Sequence, residues 1–254
     1  MTKLIRTVLE WRNCKHQIAK ENNYLGFVPT MGALHDGHFS LINKSLTENE
    51  FTVVSIFINP VQFNNSEDYN NYPKIFDEDF SKLKAKKVDF LFYPDFKEIY
   101  PDNYSYSITE NNFSKILCGK SRSGHFEGVL TVVLKLINIV KPKNVYFGEK
   151  DYQQYQLIKN MVESFFIETN VNACPTIREH DGLAMSSRNL RLNTEQRKLA
   201  PEFFKLLSSN KTLTQIKKEL TEFGFVVDYI EDIENRRFGA VILGNVRLID
   251  NVKK

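Results

Sequence analysis

Short apolar runs alternate with stretches patterned at helical spacing along most of this chain, and that alternation leaves few possible folds. Tyr24–Val28 predicts a buried strand, and Phe39, Ile42 and Leu46 then recur at helical spacing. Phe51–Ile58 is rich in β-branched and aromatic residues and stops at Asn59-Pro60, which predicts a second strand. Residues 74–87 predict a helix, and Val88–Tyr93 a strand ended by Pro94. Glu127–Val140 is apolar almost all round; its length favours a buried helix, although its valines also suit a strand. Asn144–Phe147 predicts a short strand, and residues 151–165 a helix with Tyr155, Ile158, Val162 and Phe165 on one face. Val171–Cys174 predicts a further strand. Alternation of this kind implies an α/β fold, a mostly parallel sheet with helices on both faces. Ligands of such sheets sit beyond the carboxyl ends of the strands.

After residue 176 the texture changes. Residues 194–209 and 212–223 predict helices, Phe225–Ile230 a strand, and Ala240–Leu243 with Val246–Ile249 a hairpin turning at Gly244-Asn245. The expectation is a first domain over 1–176 and a smaller α+β domain over 177–254, a division that 254 residues allow. A net charge of +3 is too mild to imply nucleic acid or an anionic membrane as partner. Cys14, Cys118 and Cys174 lie far apart, which argues against a disulfide framework and against a zinc site, so no metal site is expected. The first residues carry no apolar signal core, and no run approaches the roughly 20 apolar residues of a membrane span. A cytoplasmic protein is expected.

The residues able to do chemistry collect after the strands. Pro29–His38 places His35 and His38 three apart where a strand gives way to a helix. Free backbone N–H groups and the helix dipole favour an anion there, and Gly32 and Gly37 let backbone approach a ligand. The plainer alternative is a polar pair opening a helix. Asn59 and Gln62 are neutral amides beyond the second strand, able to donate to a carboxylate or hydroxyl, or simply part of an Asn-Pro turn. Lys150 stands ahead of a helix, a natural phosphate site, yet Asp151-x-x-Gln154 also resembles a capping box. Ser186, Ser187 and Arg188 can grip polyphosphate oxygens, or an N-cap serine can explain them. Arg122 and His125 sit in a Gly-containing loop that could equally be a connection.

Together these segments read PTMGALHDGH, SIFINPVQF, GHFEGVLTVV, FGEKDYQQ and REHDGLAMSSRN, in that order. The chain thereby closely resembles the pantothenate synthetase (pantoate–β-alanine ligase) family of the HxGH, or HIGH-motif, nucleotidyltransferase superfamily, over about residues 24–192. The resemblance implies a Rossmann-like domain, a smaller C-terminal lid, and a cytoplasmic homodimer of pantothenate biosynthesis. It implies an ATP-dependent ligase that joins pantoate to β-alanine through a pantoyl adenylate, releasing AMP and pyrophosphate, with Mg2+ delivered on ATP. By the same resemblance Met31, Gly32, Ala33, Leu34, His35, Asp36, Gly37 and His38 line the ATP site. Gly148, Glu149, Lys150 and Asp151 contact ATP, Ile177 meets adenine, and Met185, Ser186, Ser187 and Arg188 close over the triphosphate. His35, His38, Lys150, Ser186, Ser187 and Arg188 are the implied catalytic groups, with His38 the usual proton donor. Gln62 and Gln154 are implied to hold pantoate, and Asn59, Arg122 and His125 to neighbour β-alanine. Ser123 and His180 depart from the family pattern, and the C-terminal part reads as short for it.

Two rival readings remain on the residues alone. Another adenylyltransferase of the superfamily would take a mononucleotide, which two neutral glutamines suit poorly. A catalytically silent nucleotide-binding protein would have lost a central group, yet both histidines, Lys150 and the Ser-Ser-Arg triplet are present.

Overall fold

The computed structural model describes residues 1–18 and 24–254. In chain order the elements begin with β1 (Lys3–Ile5), α1 (Val8–Ile18), β2 (Leu25–Thr30), α2 (Asp36–Glu48) and β3 (Phe51–Ile56). Then follow α3 (Ser66–Asn70), α4 (Phe76–Ala85), β4 (Phe90–Phe92), α5 (Phe96–Ile99), α6 (Cys118–Ser121) and α7 (His125–Val140). β5 (Asn144–Gly148), α8 (Tyr152–Ser164) and β6 (Asn170–Cys174) complete a parallel sheet of order β1-β4-β3-β2-β5-β6.

The continuous apolar runs have a physical cause. Successive strand residues point to opposite faces, so a strand covered on both must be apolar throughout. Phe27 and Val53 pack into one core with α1, α7 and α8, while their neighbours Val28 and Val54 pack into the other beside α2 and α4. Sheet order reverses between β2 and β5, which lie side by side. Their carboxyl ends therefore open the crevice in which open α/β sheets bind ligands.

The rest of the chain forms α9 (Thr194–Leu199), α10 (Pro201–Leu207), α11 (Leu213–Glu222) and an antiparallel sheet of β7 (Val226–Ile233), β8 (Arg236–Leu243) and β9 (Val246–Lys253). The hairpin turns at Gly244-Asn245, with Gly244 at a positive φ of 62°. One face of this small sheet joins Phe203, Leu207, Ile216 and Leu220 in a separate core. Tyr229, Phe238 and Ala240 instead join the core of the large sheet, which fastens the two units together.

Three expectations differ from the structure. β1 and α1 carried no clear pattern and were not anticipated; Trp11 of α1 is nevertheless fully buried. The helix expected over 194–209 is two, α9 and α10, with Pro201 at the first position of the second. The buried face of α8 runs through Leu157, Ile158, Met161 and Val162, while Phe165, at the C-cap, is exposed.

Candidate active site

β2 delivers the chain into a short, bent loop. Gly32 and Ala33 both have positive φ, 82° and 51°, which a glycine adopts freely and an alanine only at some cost. Asp79, buried in α4, holds that shape: its two oxygens accept the N–H groups of Ala33 and Leu34, each at 2.8 Å. Burial raises the Asp79 carboxyl above its ordinary range, against those two bonds.

The loop ends at His35, the N-cap of α2. His35 Nδ1 accepts the Gly37 N–H at 3.1 Å, and His38 Nδ1 accepts the His35 N–H at 3.3 Å. Both imidazoles thus serve the helix end, as the plainer reading had it, and that service assigns their tautomers. With Nδ1 accepting, the proton of each neutral ring sits on Nε2. Burial depresses the two groups, His35 to about 4 and His38 to about 3, with Lys150 adding to both and His35 to His38. In the unliganded protein at neutral pH the pair is therefore two uncharged N–H donors.

Beyond β3, Gln62 is set by a layer behind it. Asn59, 1% exposed, donates to Gln62 Oε1 at 3.1 Å and to the Gly128 carbonyl at 3.1 Å, and accepts from the Tyr100 hydroxyl at 3.0 Å. Asn59 lines neither main cleft, so the structure places it behind Gln62 rather than beside a ligand. Gly128 of α7 permits the approach: a Cβ there would lie 2.9 Å from the Gln62 backbone. The Arg122 guanidinium contacts His125 Nε2 at 2.9 Å, and His125 Nδ1 lies 2.8 Å from the Gln62 carbonyl. Burial, with Arg122 beside it, lowers the His125 pKa to about 3, so the neutral ring donates from Nδ1 and accepts from Arg122. Among the described residues Arg122 has no carboxylate within ion-pair distance, and burial with Arg188 and Arg247 nearby lowers it to about 10.

At the end of β5, Gly148 leads into a 3-10 turn at Glu149–Asp151 and then α8. Asp151 is the N-cap of α8 but makes no side-chain capping bond, so the capping box does not form. Asp151 and Gln154 instead line the clefts with Lys150. The fourth wall is the segment after β6, where the Met185 N–H donates to the Ile177 carbonyl at 3.0 Å. Ser186 caps the following turn by accepting the Arg188 N–H, Ser187 lies 3.3 Å from the Tyr72 hydroxyl, and Arg188 donates to Asp68 at 2.9 Å.

These walls enclose two connected clefts. The inner, about 220 Å³, is lined by Met31, His35, Gly37, His38, Gln62, Gly148, Lys150, Asp151, Gln154, Ile177, Met185, Ser186, Ser187 and Arg188, and by an apolar side that includes Phe57, Val129, Val132 and Leu136. The outer, about 620 Å³, shares Gln62, Lys150, Gln154 and Arg188, and adds Arg122, His125 and, from the small domain, Arg247 and Asp250. Gly32, Ala33 and Leu34 are buried behind the wall, and Asp36 and Glu149 line neither cleft. Tyr72, Asp68 and Asp79 belong to the site's framework and were not anticipated; single polar residues far away in sequence leave no periodic signal.

The family model described as pantoate-beta-alanine ligase matches residues 3–253. The chain belongs to the pantoate–β-alanine ligase family. Pantothenate synthetase of Bdellovibrio bacteriovorus is 49% identical over 253 residues, covering 100% of both chains. That of Legionella pneumophila strain Lens is 50% identical over 242 residues, 95% of this chain and 96% of the relative. The crystal structure of pantoate-beta-alanine ligase from Francisella tularensis, complexed with beta-gamma ATP and beta-alanine, superposes with a TM-score of 0.96. It is 43% identical, and the match covers 100% of this chain and 98% of that one. Against these pantoate–β-alanine ligases the C-terminal part is not short, which corrects the expectation from sequence.

Proposed function

We infer that the chain is an ATP-dependent pantoate–β-alanine ligase, working through a pantoyl adenylate and releasing AMP and pyrophosphate. The observation that carries the site assignment is the convergence of two Nε2–H imidazoles, Lys150 and two glutamines on one inner cleft at the β2–β5 switch point. A carboxylate acylates poorly until one oxygen becomes part of a good leaving group, and adenylation makes AMP that group. In this reading the pantoate carboxylate attacks the α-phosphorus of ATP, pyrophosphate leaves, and the β-alanine amine then attacks the acyl carbon to expel AMP.

Each wall has a part in that sequence. Gln62 and Gln154 hold pantoate's hydroxyls and carboxylate, and the Val129, Val132 and Leu136 wall suits its two methyl groups. His35 and His38 donate Nε2–H bonds to phosphoryl oxygens as charge builds there, so hydrogen-bond donation rather than proton transfer is their primary work. Bound phosphate would raise both imidazole pKa values, because a neighbouring anion favours the charged form. Lys150 supplies a fixed cation, and Arg188, held ready by Asp68, turns to the triphosphate with Ser186 and Ser187. Ile177 and Met185 flank the nucleotide. Gly32, Ala33 and Leu34 act through the shape of the loop. Arg122, half-buried and without a carboxylate partner among the described residues, takes the carboxylate of β-alanine in the outer cleft, with His125 orienting it.

No group of three or more His, Cys, Asp or Glu side chains among the described residues converges on one point. Magnesium delivered on the triphosphate would offset phosphate charge there. We place the domain boundary at 176/177, with 177–254 closing over the clefts to keep water from the mixed anhydride. No described helix is long and apolar enough to cross a membrane. A cytoplasmic homodimer completes the proposal; sedimentation equilibrium tests the dimer.

Crystals grown with ATP, magnesium and pantoate but no β-alanine test the site. Pantoyl adenylate lying between His35/His38 and Gln154 is the expected result. A nucleotide bound elsewhere would remove the assignment.

A further inference from the structure

Asn251, in β9 of the small domain, is 5% exposed and lies against the Lys150 turn of the large one. Its Nδ2 donates to two backbone carbonyls of that turn, Glu149 at 2.8 Å and Lys150 at 2.9 Å. Its Oδ1 accepts from the Arg236 guanidinium. The orientation of this amide is fixed by its neighbours, since Arg236 can only donate and the two carbonyls can only accept. Arg236 in turn stacks over the ring of Tyr152, the first residue of α8, at 3.7 Å, and reaches to 3.9 Å from Glu149.

The next residue back holds another wall of the same clefts. Asp250, 4% exposed, accepts two bonds from Arg178, at 2.6 and 3.0 Å, and its Oδ1 also accepts the Asn251 N–H. Arg178 follows Ile177, whose carbonyl holds Met185. Two consecutive residues of β9 thus fasten the turn carrying Lys150 and the segment carrying Ile177. Asp151 gives α8 no side-chain cap, and the bonds from Asn251 hold the carbonyls of the 149–151 turn from outside. A turn whose carbonyls are fixed leaves the Lys150 side chain fewer directions, which is how binding geometry is set in advance.

We propose that Asn251, supported by Arg236, is a positioning residue for ATP. Through the Glu149 and Lys150 carbonyls it aims Lys150, and so couples the small domain to nucleotide binding. The proposal rests on the assignment of Lys150 to ATP phosphates.

Asn251→Asp is the decisive variant. It keeps the size and the acceptor for Arg236 but sets a carboxylate oxygen against the two carbonyls. Asn251→Ala, which removes the donors without setting an anion against the carbonyls, should raise the ATP KM less. In pantoate-dependent ATP–pyrophosphate exchange, Asn251→Asp should raise the KM for ATP about tenfold or more, the scale of losing two hydrogen bonds. The KM for pantoate should stay within about twofold, because Gln62 and Gln154 rather than Lys150 hold that acid. An unchanged ATP KM, or an equal loss in every parameter, would overturn the proposal. Lys150→Ala runs in parallel: if it leaves the ATP KM unchanged, the site assignment itself fails. If it raises that KM while Asn251→Asp does not, only the positioning role fails. Hydrogen exchange on the wild-type chain asks the same question without a variant. A non-hydrolysable ATP analogue should protect residues 149–152 and 247–251 together, and protection confined to the first segment contradicts the coupling.

Discussion

On the proposed function the two histidines do a structural and a chemical job with different atoms. Nδ1 of each closes the first turn of α2, and Nε2–H of each is left for a ligand. Substitutions can separate the jobs. His38→Asn keeps an acceptor near the position of Nδ1 and removes the Nε2 donor; it should fold normally and lose about 10²-fold in adenylation, the scale of one oxyanion donor. His38→Ala should lose that and also about 1 kcal/mol of stability, the scale of a lost helix cap. Thermal melts beside exchange rates check both, and near-normal turnover in either variant would count against the donor role. The depressed pKa values also fix a pH dependence. His35, His38 and His125 titrate near 4, 3 and 3 in the folded protein against about 6.5 when unfolded. The unfolded chain therefore binds more protons between these limits, so stability is full above pH 6.5 and falls as pH drops toward about 3–4. A melting temperature that holds level from pH 6.5 down to 4.5 would contradict this.

Elements place those residues, and their placement was legible to differing degrees. Strands covered on both faces must be apolar throughout, so β2, β3 and β5 show directly in the sequence, and the chemistry follows at their ends. Lys150 and Gln154 could be located the same way, though not told apart from a capping box; that needed the cap geometry of Asp151. What stays hidden is any contact across the chain. Asp79 looks like one acid of a charged helix face, yet its carboxylate shapes the loop 46 residues earlier. Asn59 has the composition of a ligand group, and its burial behind Gln62 depends on Tyr100 and Gly128. Resemblance supplied what periodicity could not, namely which acid is activated. Gly128 offers a test at this scale. Gly128→Ala puts a Cβ 2.9 Å from the Gln62 backbone and must move that turn. The KM for pantoate should rise about tenfold with ATP affinity little changed, about 1.4 kcal/mol of misplacement. A rise in the ATP KM alone would be the wrong outcome.

Over the whole molecule, one topological fact organises the rest. Sheet order reverses between β2 and β5, so the histidine loop and the lysine turn face each other across one crevice. The small domain reaches that crevice through Arg247, Asp250 and Asn251, and shares the large domain's core through Phe238 and Tyr229. On the proposed function the two half-reactions have separate places: adenylation in the inner cleft, amine attack from the outer. The direct test is exchange of labelled pyrophosphate into ATP by the purified full chain with magnesium. Exchange should require pantoate and proceed without β-alanine, because the first half-reaction needs only the inner cleft. Exchange that ignores pantoate, or that starts only when β-alanine is added, would contradict the account.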